Sequence, residues 1–146
     1  MTINWNEDLS VGDEILDSDH KTLINLINKF EWAIEGDISY PRLNKTLDEL
    51  EAYTMGHFKR EEQKQEEIGY PQSGPHQALH RELVRQLHEH REKFNVAAEK
   101  EGVEGAVIVR EIALFLKDWL IQHIMDHDKR YKPYLLEVEA KNNKAT

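Results

Sequence analysis

The chain has 146 residues, 32% of them charged, a formal net charge of −9 and no cysteine. The missing cysteine excludes disulfides, thiolate zinc sites, iron–sulfur clusters and a cysteine nucleophile, and the acidic balance argues against nucleic acid and anionic membrane surfaces as partners. The length suits one domain with its own core (residues 1–146), and with no apolar run of membrane-spanning length and no signal-like N-terminus, a soluble cytoplasmic protein is expected.

Residues 1–17 read as an irregular arm, with Trp5 as an apolar anchor and Gly12 set against helix. The first helix is expected over about 18–36, started by Asp17 or Ser18 as cap and ended by Gly36. Its apolar stripe is Leu23, Ile27, Phe30 and Ile34, with His20 one turn ahead. The second helix, about 41–67, opens on Pro41, a residue favoured in a first turn. Its stripe runs Leu43, Leu47, Leu50, Thr54, His57, Glu61, so the last two members extend the core face. Beyond them the helix becomes very polar, and Gly69, Pro71, Gly74 and Pro75 form a turn. The third helix, about 75–99, carries His76, His80, Leu83, Leu87, His90 and Phe94 on one face. The fourth, about 105–131, carries Val109, Ile112, Leu116, Trp119 and His123, and Pro133 bends or stops it. Residues 132–146 read as a tail with at most a short helical extension.

Four amphipathic helices with short connections and no strand signal predict an all-α fold, an antiparallel up-down four-helix bundle. In that topology the starts of odd helices and the ends of even helices share one end of the core. His20, His57, Glu61, His76, His80 and His123 then meet there. One histidine on an apolar face reads as a hydrogen-bonded core residue. Six metal-capable groups at one level are different, because burying them unpaired would cost about 1–3 kcal/mol each. Metal ligation resolves this, and five histidines with a carboxylate exceed the four ligands of a closed zinc site. Two metals fit better. The Glu-x-x-His pairs of ferritin-like di-metal bundles are absent, so the site is histidine-rich. For a further ligand, spacing alone prefers His127, four residues past His123. Asp128, five past, lies about 140° around a regular helix and would reach the centre only by side-chain reach, a local wide turn or lateral placement between two metals. His90 lies too far along its helix to join the site, and His88 falls off the stripe.

Several motifs resemble those of the hemerythrin family: Trp5, Val11–Gly12, Asp17-x-x-His20, His57–Phe58-x-x-Glu61–Glu62, Tyr70–Pro71, His76-x-x-x-His80, Trp119–Leu120-x-x-His123–Ile124-x-x-x-Asp128 and Tyr131. They span residues 5 to about 132. The resemblance implies a non-haem di-iron centre (Fe2+/Fe3+ with an oxo or hydroxo bridge) that binds O2 reversibly, for oxygen transport, storage or delivery. It implies an oxygen-binding protein rather than an enzyme. Carried over residue by residue, His76, His80 and His123 would hold one iron, and His20 and His57 the other, which keeps an open position. Glu61 and Asp128 would bridge them. The resemblance thus favours Asp128 over His127. Trp119, Leu120 and Ile124 would form the O2 pocket. The competing roles are an O2 or redox sensor acting through a separate partner and a di-iron oxidase or peroxidase. One departure stands out: Lys64–Gln65 where relatives commonly carry Leu–Met. Gln65, one turn past Glu61, would either admit water near the site or mark an exposed helix end.

Overall fold

Gly12, at φ +86°, turns the chain out of the N-terminal arm, and Asp13 caps the first helix by accepting from Leu16 N at 2.9 Å. Helix α1 therefore spans Glu14–Ala33 and begins earlier than Asp17. Asp17 does other work. Its carboxylate accepts from Ser10 Oγ at 2.6 Å and Val11 N at 2.8 Å, tying the arm to the helix. The arm itself holds a 3-10 turn, Glu7–Leu9. Asn28 pins the arm to α1 through a reciprocal pair with the Ile3 backbone, at 2.9 and 2.8 Å. Trp5 packs half-buried against the core beneath Lys21, whose Nζ lies 5.0 Å from its ring.

Helix α2 (Tyr40–Glu67), α3 (Ser73–Lys100) and α4 (Gly102–Asp126) follow. In this computed structural model, which describes residues 2–145, each helix packs on the next and α4 closes back onto α1. The fold is a four-helix bundle, with no strand among the described residues. At the α2–α3 turn, Gly69 adopts φ +68°. There Gly69 N bonds Glu66 O at 3.2 Å and Tyr70 N bonds Gln65 O at 2.9 Å. This paired pattern is how a glycine ends a helix while satisfying its last carbonyls. It also delivers Tyr70 beneath the bundle end. No helix among the described residues is long and apolar enough to cross a membrane.

Two elements differ from the sequence expectation at the C-terminus. The fourth helix stops at Asp126, and a 3-10 turn, Asp128–Tyr131, leads into a fifth helix, α5 (Lys132–Ala145). Pro133 lies in the first turn of α5, where its missing N–H has no intrahelical partner to lose. It starts a helix here instead of ending one. Leu135 of α5 and Tyr131 pack with Val11, Leu16 and Tyr70 into a small second core. The large core, from Leu23 to Ile124, lies on the other side. The polar cluster sits between the two, its side chains buried.

Candidate metal centre

Each helix contributes by position alone. His20 lies two turns into α1, His57 and Glu61 late in α2, His76 and His80 at the start of α3, and His123 in the last turn of α4. All are at most 5% exposed, and Glu61 and Asp128 are fully buried. Asp128 arrives by a different route. His127 leaves helical geometry at φ −122°, ψ −55°, and the following 3-10 turn carries the Asp128 carboxylate inward. The break at His127 and the tighter 3-10 winding after it, not a wide turn, bring Asp128 to the cluster. His127 stays half-buried at the rim, its ring 5.9 Å from that of His123.

The ligand-capable atoms form two groups, each with its atoms within 4.8 Å of one another. One is Glu61, His76, His80, His123 and Asp128; the other is His20, His57, Glu61 and Asp128. The groups share their two carboxylates. Glu61 Oε1 lies 2.7 Å from His76 Nε2 and 2.9 Å from His80 Nε2, while Oε2 lies 3.3 Å from His57 Nε2. Asp128 spans the same gap, with Oδ1 2.8 Å from His123 Nε2 and Oδ2 3.1 Å from His20 Nε2. Neither oxygen of Asp128 has a hydrogen-bond partner despite these distances. The Nε2 atoms of His20 and His57 face each other at 3.1 Å, as do those of His80 and His123 at 3.3 Å. Two neutral imidazoles cannot both offer lone pairs across such a gap. Lone pairs that converge on common points, with buried oxygens left unpaired, fit cations held between them. An all-nitrogen and oxygen donor set suits iron, zinc or manganese.

Electrostatics in the metal-free protein follow from the same contacts. Burial opposes charge on His20, but the Asp128 and Glu61 carboxylates outweigh it and lift the imidazole to about 9. The same balance lifts His76 to about 9 and His123 to about 10. His80 goes the other way: burial, aided by its charged histidine neighbours, pushes it down despite Glu61. Burial pushes Glu61 up, but its histidine contacts outweigh that and hold it well below the usual carboxylate range. Tyr131, fully buried, donates its hydroxyl to Glu61 Oε2 at 3.1 Å; burial and the nearby carboxylates keep its proton firmly in place.

On the core side, an apolar seam runs between His57 and His123, walled by Leu23, Phe58, Leu83, Trp119 and Leu120. It has no volume open to a water-sized sphere. Trp119 and Leu120, expected at an O2 pocket, line this seam. Ile124 is fully buried beside His123 but does not line the seam. Phe58 adds a wall of its own, stacked on the His80 ring at 3.8 Å and 5°.

Sequence reasoning missed the groups around His57. Its Nδ1 lies 3.0 Å from Asp19 Oδ2, and Asp19 is in turn held by Arg60 and Tyr53. A signal was available: Gly56 sits mid-helix, where glycine is unfavourable. A Cβ there would lie 3.1 Å from Arg60 Nη1, so the gap serves the arginine as it folds back. Gln65 is also resolved. It is not at an exposed end; it is fully buried one turn past Glu61, and neither amide atom has a partner.

Comparison with known proteins agrees with this geometry. The profile described as the hemerythrin HHE cation binding domain matches residues 11–135. The bacteriohemerythrin of Methylococcus capsulatus is 35% identical over 120 residues, covering 82% of this chain and 85% of its own. That of Stenotrophomonas maltophilia is 30% identical over 127 residues, covering 87% and 77%. A crystal structure of wild-type hemerythrin superposes with a TM-score of 0.73 at 31% identity, over 92% of this chain and 98% of that one. The chain belongs to the hemerythrin family. The role that membership carries, at family level, is binding of O2 and iron.

Proposed function

We propose that the protein binds O2 reversibly at a non-haem di-iron centre, serving oxygen carriage, storage or delivery. The observation that carries this reading is the pair of ligand groups joined by Glu61 and Asp128 and backed by a dry apolar seam. His76, His80 and His123 would hold one iron, and His20 and His57 the other. Two protein ligands of its own against three leave that second position the more open. Held this way, the irons would supply the electrons that O2 takes up on binding and returns on release.

The remaining work falls to the chain. Glu61 and Asp128 supply two negative charges where neutral imidazoles supply none, and they stand between the two ligand groups. The Tyr131 hydroxyl holds Glu61 in one orientation. Trp119, Leu120, Leu23 and Leu83 keep water away from the side that bound O2 would occupy. Excluding water matters because it keeps protons from the side of the centre that O2 would approach, which reversible binding would require.

The test is direct. Protein reduced without air, exposed to O2 and then purged should show a visible charge-transfer band that comes and goes, with two irons per chain. Irreversible oxidation with turnover of a reductant would overturn the carrier reading in favour of an oxidase. Zinc alone, or no metal, would overturn the centre itself.

Gln65 sets a limit on retention. Its buried amide has no partner within the protein, which costs about 1–3 kcal/mol per group unless a buried water satisfies it. A water satisfying that amide would stand one turn from Glu61 and would offer a proton near the site. Gln65→Met should therefore slow the spontaneous oxidation of the O2-loaded form severalfold. An unchanged decay of the visible band would refute the assignment.

A further inference from the structure

The two metal positions differ in a way the ligand set does not show. Among the five clustered histidines, His57 has its Nδ1 within hydrogen-bond distance of a carboxylate, 3.0 Å from Asp19 Oδ2. The Nδ1 atoms of His20 and His123 are buried without partners. That of His80 is 3.5 Å from Glu62 and forms no hydrogen bond. An ionised carboxylate only accepts, so the His57 ring carries its proton on Nδ1 and presents a lone pair at Nε2. Nε2 is the atom that faces the cluster.

Asp19 is built for this task. It is 4% exposed and takes a bidentate clamp from Arg60, Nε to Oδ2 at 2.8 Å and Nη2 to Oδ1 at 2.9 Å. Tyr53 donates to Oδ1 at 2.9 Å. Three donors from α2 thus lock one carboxylate of α1. The Arg60 guanidinium lies 5.5 Å from the Tyr53 ring and over the gap left by Gly56. Its side chain remains 42% exposed, so the network runs from His57 to solvent.

We propose that Asp19 positions His57 and tunes its donor strength, and that Arg60 sets the tuning by neutralising Asp19. The proposal rests on the two-metal reading above. A carboxylate on the far nitrogen makes an imidazole a more basic ligand and steadies its orientation. More electron density at the metal favours its oxidised state. Arg60 restrains this by sharing the Asp19 charge. The two residues therefore act with opposite sign at one metal position, that of His20 and His57.

The iron-loaded protein tests this with Asp19→Asn and Arg60→Met. Asp19→Asn should raise the reduction potential and release the iron at the His20–His57 position to a competing chelator about ten- to hundredfold faster. The iron held by His76, His80 and His123 should leave at the wild-type rate. Arg60→Met leaves Asp19 uncompensated and should lower the potential, hastening oxidation of the reduced protein. In proton NMR spectra of the reduced protein, the slowly exchanging His57 Nδ1–H should become fast-exchanging in Asp19→Asn alone. Melting of the metal-free variants checks that each folds. A merely structural network would move both potentials the same way. That result, or equal release of both irons in Asp19→Asn, would overturn the proposal while leaving the two-metal reading intact. A wild-type chain that takes up no iron would overturn both.

Discussion

Stripping the metal from the loaded protein should lower its melting temperature by about 20 °C or more at pH 7, and the gap should widen as the pH rises towards 10. Structural metal sites contribute on the order of 10 kcal/mol of apparent folding free energy, and a domain of this size shifts by about 2–4 °C per kcal/mol. The large apolar core still drives folding of the metal-free bundle, so a cooperative transition should survive. The pH dependence comes from what the histidines do once the metal has gone. His20 and His76 are lifted to about 9 and His123 to about 10 by the two carboxylates between them. A group whose folded pKa lies above its unfolded one stabilises fully below the unfolded value, near 6.5 for histidine. That contribution fades as the pH climbs through the folded value, here from about 9 to about 10. The metal-free protein therefore weakens between pH 7 and 10, as Glu61 and Asp128 lose their imidazolium partners. Metal-loaded protein does not, because its imidazoles are already neutral and metal affinity rises with pH. Glu61 and Asp128 are held low, so their own contribution is lost only as the pH falls through the acid range, outside this window. Calorimetry of both forms at pH 7, 8.5 and 10 checks this. A gap that narrows over that range would mean the clustered histidines are neutral without metal, and the electrostatic account fails.

Much of the bundle was legible because a helix repeats faithfully. The α2 stripe from Leu43 through Leu50 and Thr54 to Glu61 is buried residue for residue at the expected phase. The same phase carries His20, His76, His80 and His123 to one end of the core. What periodicity could not give were features made by departures from a helix or by side chains crossing between helices. Asp128 depends on a change of backbone at His127. Asp19 precedes His20 and reads as part of a polar face, yet it is buried because Arg60 and Tyr53 reach over from α2 to meet it. Gln65 sits inside a run of charged residues that suggests exposure, yet it is fully buried one turn past Glu61. Pro133 could stop one helix or start another, and only the packing of Leu135 on Tyr131 and Val11 decides.

Asp128→Asn should remove one metal from the pair, while His127→Ala should leave metal content and O2 binding unchanged. Along a regular helix the opposite is expected, since His127 follows His123 by one turn and Asp128 points about 140° away. The backbone reverses this order. His127 N still bonds His123 O at 3.0 Å, closing the last turn of α4, but Arg130 N then bonds His127 O at 3.1 Å in a tighter winding. The His127 side chain is left at the edge of grooves between α3 and α4, where burial and the positive charges around it push its pKa down. A neutral ring at the rim contributes nothing to the charge balance inside. Asp128 is fully buried and belongs to both ligand groups. Asparagine keeps the shape and one oxygen but removes one of the two negative charges that would offset two cations in the proposed centre. It also leaves amide protons pointing at metals. Loss of a direct bridging ligand should exceed the ten- to hundredfold effect of an outer hydrogen-bond partner. Affinity for the weaker-held metal should therefore fall by more than about a hundredfold. Because His20 and His57 are joined by fewer protein ligands than the other group, theirs is the position that should empty first. Iron analysis after dialysis against a mild chelator measures this directly. If His127→Ala loses metal and Asp128→Asn retains both, the turn at His127 does not place the bridge, and the regular-helix assignment is restored.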